Sequence, residues 1–475
     1  MVERTYAAST ETLIMHIGKH GKDFSRRAFL RKTAQAAAGS GLLMPLWSAI
    51  ARDGDISKAY PDELLSIEEF TKGAISTGDV IDANNVEHVK DLLEPIRYEQ
   101  IRQHGRKLTV VKTTTDPMRL SPWEYMEATL RNAGKARFDD TGNIVNEDGK
   151  PWIGGNPFPD AKRAIELYAA QVLSWGRHDA SFYAIKIDSL DHKGNKQFHY
   201  SGGWAELNTV SRVSMDPKPY WPEHIDKLRF QSVFFLEPNQ FAGTSFLNNW
   251  HYDQRKFPEL YGYVPEFRRI RQFPTDQRFE PLLPGLTLYL SDAWGAGDPL
   301  QTWGDFKIIH RGPFLAGLSD GWSSDHPNWE HKTHGGPKGD SFWDTKVELV
   351  PEAIVVETRP TGYSRAPVSK KHLWFDARNQ VLIGMVTYDR RDQPFRSFDG
   401  ASSLYESKDG SKTFMDGKHP YWSWVHVTAS DIQTGGITRL QQVRELDGEH
   451  QSGANEPSIY ERYLTQLALH NLGRV

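Results

Sequence analysis

The sequence predicts an α+β protein, mostly β, built on one large antiparallel sheet, and three observations predict it. After residue 176, about ten runs rich in β-branched and aromatic residues succeed one another between Gly, Pro, Asn and Asp clusters. Few helical patterns separate these runs, and strands joined without crossover helices pair antiparallel rather than as βαβ units. Several runs alternate with period two, as in Phe230, Ser232, Phe234 and Leu236 against Gln231, Val233, Phe235 and Glu237. The 15 Trp, 18 Tyr and 23 Phe supply bulk for a β core or for the wall of an apolar cavity.

The chain opens on a leader. Arg26 and Arg27, followed by Phe29-Leu30 and the basic pair Arg31-Lys32, form a twin-arginine export signal of the Tat type. Residues 33–51 are small and apolar and end in Ala49-Ile50-Ala51, so cleavage is expected after Ala51. This places the protein in the periplasm and makes 52–475 one mature domain. Its helical N-terminal part is expected over about 84–176. Within it, 84–104 reads as a helix capped by Asn84 or Asn85, kinked or divided in two at Pro95 and ended by Gly105, and 107–115 as a strand. Ser121-Pro122-Trp123-Glu124 reads as a capping box. The acidic stretch 138–149 reads as a solvated hairpin, and Gly154–Pro159 as a turn into a helix capped by Asp160 with Ile165, Tyr168, Val172 and Trp175 on its apolar stripe. Strands are then expected over 182–189, 228–237, 245–252, 286–291, 306–311, 353–358, 372–376, 381–388, 422–427 and 437–443. A helix over about 457–471 follows, with Ile459, Tyr463, Leu467 and His470 on one face.

Composition excludes several functions. With no cysteine, the chain has no disulfide, cysteine-ligated zinc, iron–sulfur cluster or c-type haem attachment. The formal charge is −4, and removing the leader's seven basic and three acidic residues leaves 50 Lys/Arg against 58 Asp/Glu, about −8. That balance gives no electrostatic footprint for nucleic acid or for anionic lipid headgroups. No run of about 18 apolar residues follows the leader, so no membrane span is expected.

Two constellations carry candidate chemistry. Gly317-Leu318-Ser319-Asp320-Gly321 matches the nucleophile elbow G-x-S-x-G, which works on a strand-to-helix turn; here a Pro- and Trp-bearing loop follows instead. Asp325, His326, Glu330, His331 and His334 form the densest group of metal-ligand types, with His326, His331 and His334 as the ligands of a metal-dependent enzyme. Their spacing matches no established motif, and solvated loop residues are the plainer reading. No metal or other cofactor is expected.

Gly78–Val86, Arg106–Thr115 and the turn GGNPFPDAKRAIEL over 154–167 resemble an uncharacterised family of exported Gram-negative proteins, the domain of unknown function 1329 family. The resemblance continues through Phe235-Leu236-Glu237-Pro238 to Ala242-Gly243-Thr244, the arginine-rich 267–274, Ser291-Asp292-Ala293-Trp294, Glu357-Thr358-Arg359-Pro360, and Lys371–Asp376 with Tyr388-Asp389. It covers roughly 65–445, and 316–345 looks longer than the family's usual loop. It implies a fold related to lipoprotein carriers of the Lol type: a large curved antiparallel half-barrel sheet, covered by a few helices around an apolar cavity. It further implies a periplasmic carrier of a hydrophobic or lipid-like ligand working with an inner-membrane exporter of the resistance-nodulation-division class. Arg268, Arg269 and Arg271 are then candidates for a carboxylate or phosphate headgroup, unless they form salt bridges on an outer face. The rivals are the metal-dependent enzyme and an adaptor that docks a transporter and carries nothing.

Overall fold

Sixteen strands join in one sheet in the computed structural model, which describes residues 56–281, 283–318, 327–406 and 421–473. In chain order the strands are β1 (Val80–Ile81), β2 (Leu108–Val110), β3 (Ala180–Leu190), β4 (Lys196–Asn208), β5 (Lys227–Glu237), β6 (Ser245–His251), β7 (Glu259–Val264) and β8 (Arg269–Phe273). They continue with β9 (Gly304–Leu318), β10 (Thr345–Arg359), β11 (Val368–Asp376), β12 (Leu382–Asp389), β13 (Pro394–Leu404), β14 (Trp422–Asp431), β15 (Gly436–Val443) and β16 (Gly453–Ala454). The spatial order is β1-β2-β10-β11-β12-β13-β14-β15-β3-β4-β5-β6-β7-β8, so two antiparallel meanders meet at β15 and β3. The sheet is mixed rather than purely antiparallel, because β2 runs parallel to β10 and the end of β9 parallel to β13.

That second contact closes a ring through β9, β10, β11, β12 and β13. Gly317 makes the closure sterically feasible: a Cβ there would sit 2.5 Å from the Gly400 carbonyl oxygen. This accounts for one glycine of the G-x-S-x-G match without catalysis, and Ser319 lies outside the described residues.

The inner face carries one continuous core that joins Ile185 of β3, Val233 of β5, Ile354 of β10, Phe375 of β11 and Val427 of β14. Only a curved sheet brings strands so far apart in order onto one core. Helix α4 (Ala164–Leu173) lies against it and is buried nearly all round. On the outer face α5 (Ile459–Tyr463) and α6 (Gln466–Leu472) cover Phe182, Phe230 and Phe234. Helix α2 (Pro95–His104) puts Ile96 against Phe314, Val355 and Trp374 of the ring. Helices α1 (Ile67–Thr71) and α3 (Trp123–Asn132) complete the helical set among the described residues.

Several local expectations need correction. The 84–104 segment is divided at Pro95 as expected, but its first half is a 3₁₀ helix, Val86–Leu92. Ser121 does not cap α3: its hydroxyl takes a hydrogen bond from Arg177 at 3.2 Å, and the helix starts at Trp123. Asp160 does not cap α4 either, because Glu166 receives the Lys162 and Arg163 amides and sets the start four residues later. The expected C-terminal helix breaks after Leu464, Thr465 caps a new one, and Leu467 is left 70% exposed. The expected strand over 286–291 is absent. Thr287 spends its amide on the Thr438 hydroxyl and its own hydroxyl on the Ala429 carbonyl, and a 3₁₀ turn, Leu290–Gly295, follows.

Candidate functional site

A cavity of about 60 Å³ lies on the inner face, where the start of β14, the middle of β13 and the chain after α4 converge. Its walls are Trp175, Trp294, Trp422, Trp424, Tyr183 and Phe398, with Gln171, Ser402 and Ser423 as the polar side chains. Trp175 arrives there because α4 ends at Leu173, and Trp422 and Trp424 open β14.

Trp294, one of these walls, packs against three further aromatic rings. Its ring centroid lies 5.9 Å from Trp204, 5.6 Å from Phe398 and 5.1 Å from Trp424. Its backbone is left-handed at φ 48°, a costly conformation for a bulky residue that the surroundings must enforce. The enforcing contacts can be named. Gln171 donates to the Trp294 carbonyl at 3.3 Å, and a Cβ on Gly295 would meet Leu382 at 2.6 Å. Two residues earlier, the Asp292 carboxylate receives the Tyr289 amide at 2.9 Å and lies 3.3 Å from Lys371 and 3.8 Å from Arg396. Lys371 is fully buried and also donates to the Ser291 carbonyl, while Arg396 stacks on Tyr289 at 3.6 Å. Two strand cations, from β11 and β13, thus hold the tryptophan turn on the sheet.

Beside the cavity lies a buried charge pair. Glu206 accepts the Trp175 indole N–H at 2.6 Å, and burial raises its carboxyl above the ordinary range against the opposing pull of Arg229. Arg229 stacks on Trp175 at 4.0 Å and donates to the Val172 and Leu173 carbonyls at the end of α4; burial lowers its pKa to about 10. This cation at a helix C-terminus satisfies carbonyls that the helix cannot. The cavity walls can enclose an apolar group, and the buried Trp424 indole N–H finds no acceptor among the described residues.

The residues expected from the sequence lie elsewhere. Arg26, Arg27 and Ala51 of the leader and Asp325 and His326 of the histidine segment fall outside the described residues. His334 accepts the Lys107 amide at 2.8 Å, His331 packs its ring 4.9 Å from His426, and Glu330 pairs with Lys186. Among the described residues no three His, Asp or Glu side chains are grouped to hold a metal. Arg269 and Arg271 lie on β8 at the end of the sheet, and Arg268 holds a left-handed turn just before it. Register places them relative to the cavity. Tyr183, Trp204, Val233, Phe246, Gly262 and Arg271 are directly opposed across six successive strands, so this row of one face runs from the cavity wall to Arg271. Sequence reasoning misses Trp175, Glu206, Arg229 and Trp294 as a group, since nothing local links positions that only strand register assembles.

A large curved sheet with an aromatic cavity on its inner face defines a class of mostly-β proteins built on one curved sheet. Within it, the chain belongs to the DUF1329 family, described as proteins of unknown function, whose sequence pattern it matches over residues 80–470. No curated protein matches the sequence. Among solved structures, it is similar to a DUF1329 family protein from Desulfovibrio piger, at 11% identity and a TM-score of 0.40, covering 62% of this chain and 95% of that one. It is also similar to a protein from Vibrio parahaemolyticus described as an outer membrane lipoprotein-sorting protein domain, at 16% identity, a TM-score of 0.38, and 65% and 98% coverage. A LolA superfamily protein from Nitrosomonas europaea matches at 12% identity, a TM-score of 0.32, and 61% and 97% coverage. No helix among the described residues is long and apolar enough to cross a membrane.

Proposed function

We propose that the protein is a periplasmic carrier, exported by the Tat route, that holds a hydrophobic or lipid-like ligand against the inner face of its sheet and passes it to or from an inner-membrane exporter. The observation that carries this reading is the tryptophan-lined cavity in which Trp294 packs against Trp204, Phe398 and Trp424. At about 60 Å³ the space is under half of the roughly 150 Å³ in which an apolar cavity binds benzene. A lipid chain therefore enters only when Trp294 swings out, and the ligand then replaces the indole between Trp204, Phe398 and Trp424. The unsatisfied Trp424 N–H favours a ligand with one acceptor, such as an ester or acid carbonyl, next to its apolar part.

The test compares a fluorescent fatty-acid probe on the native protein and on W294A. The variant vacates the ligand's place and is expected to bind the probe at least tenfold more tightly. Native mass spectrometry of the chain recovered from its own periplasm is expected to show added apolar mass. A bare chain together with no probe binding by either protein sinks the carrier reading. A bare chain that co-purifies with an exporter moves it to the adaptor, and one or two bound metal ions move it to the enzyme.

A further inference from the structure

The geometry points to a second functional surface: the β8 edge, unpaired among the described residues, with Arg268, Arg269, Arg271 and Phe267, docks on an anionic lipid bilayer. Three observations carry this. First, although the whole chain's charge of −4 gives no footprint for anionic lipid, the three arginines fall within four residues, and none of their side chains has an ion-pair or hydrogen-bond partner among the described residues. Arginines elsewhere show what this chain does when an arginine is structural: Arg378 is clamped by Asp376 and Glu348, and Arg106 is bidentate on Asp399. Among the described residues no salt bridge to the three edge arginines is present.

Second, Phe267 is 47% exposed at the tip of the Pro265–Phe267 turn, more than any other aromatic side chain among the large exposed apolar residues. The Arg271 guanidinium lies over its ring at 4.1 Å. An aromatic ring with a cation on its face has one apolar edge and one charged side, which suits the boundary between acyl chains and phosphate headgroups. Third, the edge belongs to the inner face. Arg271 ends the opposed row that begins at Tyr183 in the cavity wall, and Arg269 alternates with it on the same side. Docking by this edge would therefore turn the open end of the aromatic face toward the bilayer.

Charge complementarity commits the site to a bilayer bearing phosphate headgroups, and the exposed ring favours a bilayer over an acidic protein. The inference is compatible with a carrier but does not depend on what the cavity holds.

The experiment measures binding of the full chain to vesicles of phosphatidylglycerol and of phosphatidylcholine, for the native protein, R268Q/R269Q/R271Q and F267S. All four positions are exposed, and circular dichroism checks that the variants fold. Each arginine near an anionic surface contributes roughly fivefold, so the triple variant is expected to lose about a hundredfold in affinity for phosphatidylglycerol. Salt at about 0.5 M should weaken the native protein strongly as well, and F267S should weaken binding without changing the salt dependence. Equal binding to both vesicle types, or full binding by the triple variant, overturns the inference. So does capture of a polyglutamate peptide as tightly as vesicles with no effect of F267S, which would make the partner an acidic protein. A triple variant that keeps vesicle binding but loses a monomeric anionic lipid would assign the arginines to the ligand's headgroup instead. Failure of the carrier reading is separate, because it is read from the fatty-acid probe and W294A without vesicles.

Discussion

Arg229 brings a charge into the core next to the tryptophan cavity, and its partners show why it is kept there. It neutralises Glu206, stacks on Trp175 and finishes the end of α4, so one side chain ties β5, β4 and the helix together. Removing it leaves a buried carboxylate without a counter-charge and two helix carbonyls without a donor. R229A is therefore expected to cost about 3–5 kcal/mol in urea unfolding, the range for breaking one side of a buried pair. R229K keeps the charge but loses the planar stack on Trp175, and should fall between. A cost below about 1 kcal/mol for R229A would show that Glu206 takes up a proton on its own at little expense.

At the scale of an element, the Leu290–Gly295 turn is the part of the fold most open to change. It has no strand ladder, it contains a left-handed tryptophan, and its hold on the sheet passes through Asp292 to Lys371 and Arg396. D292N keeps the size but removes the charge, leaving the buried Lys371 and the part-buried Arg396 with less compensation. Hydrogen exchange of the amides at 289–296 is expected to speed up at least tenfold in D292N, with β14 and β15 unchanged. Uniform loss of protection across the sheet would mean that the turn is part of the core and not a separate cover. The same element shows what a sequence can tell. Leu286, Leu288 and Tyr289 look like a strand because apolar residues fall on both parities, and only the Thr287 contacts to β14 and β15, about 150 residues away, make the segment a cover. Conversely, β4 escapes a reading by pattern because Gly202 and Gly203 interrupt it, yet a Cβ on Gly202 would meet the Phe234 carbonyl at 2.0 Å. Pro95 divides its helix as expected, since proline's missing N–H is a local effect that tertiary packing cannot replace. The arginine run of β8 is visible in the sequence as a cluster of cations, but its place at the sheet's end and the cavity are not, being assembled by register alone.

Across the whole molecule, closing the ring of β9 to β13 and covering it with α2 buries two carboxyl groups whose cost depends on pH. Glu94 starts α2, accepting the Ile96 and Arg97 amides at 2.7 Å, and Glu352 lies in β10 with Arg311 3.8 Å away. Burial, offset in part by Arg97 and Arg311 respectively, raises each to about 7. A carboxyl raised on folding stabilises the fold below its unfolded pKa, near 4.5, and that contribution is lost as pH rises through about 7. His178, lowered to about 4 by burial, acts in the other direction, contributing above 6.5 and losing that contribution as pH falls through 4. The two trends overlap, so the wild-type profile alone does not separate them, but E352Q does. Glutamine matches the protonated carboxyl in shape and never charges. The variant should equal the wild type near pH 4.5 and exceed it at pH 8, by at most roughly 3 kcal/mol, since each tenfold change in proton affinity is worth about 1.4 kcal/mol. The gain will be smaller to the extent that Arg311 loses its counter-charge. Thermal unfolding of both proteins from pH 4.5 to 8 decides this: curves that diverge as pH rises place an ionising Glu352 in the folded core, and parallel curves show that its proton is never given up there.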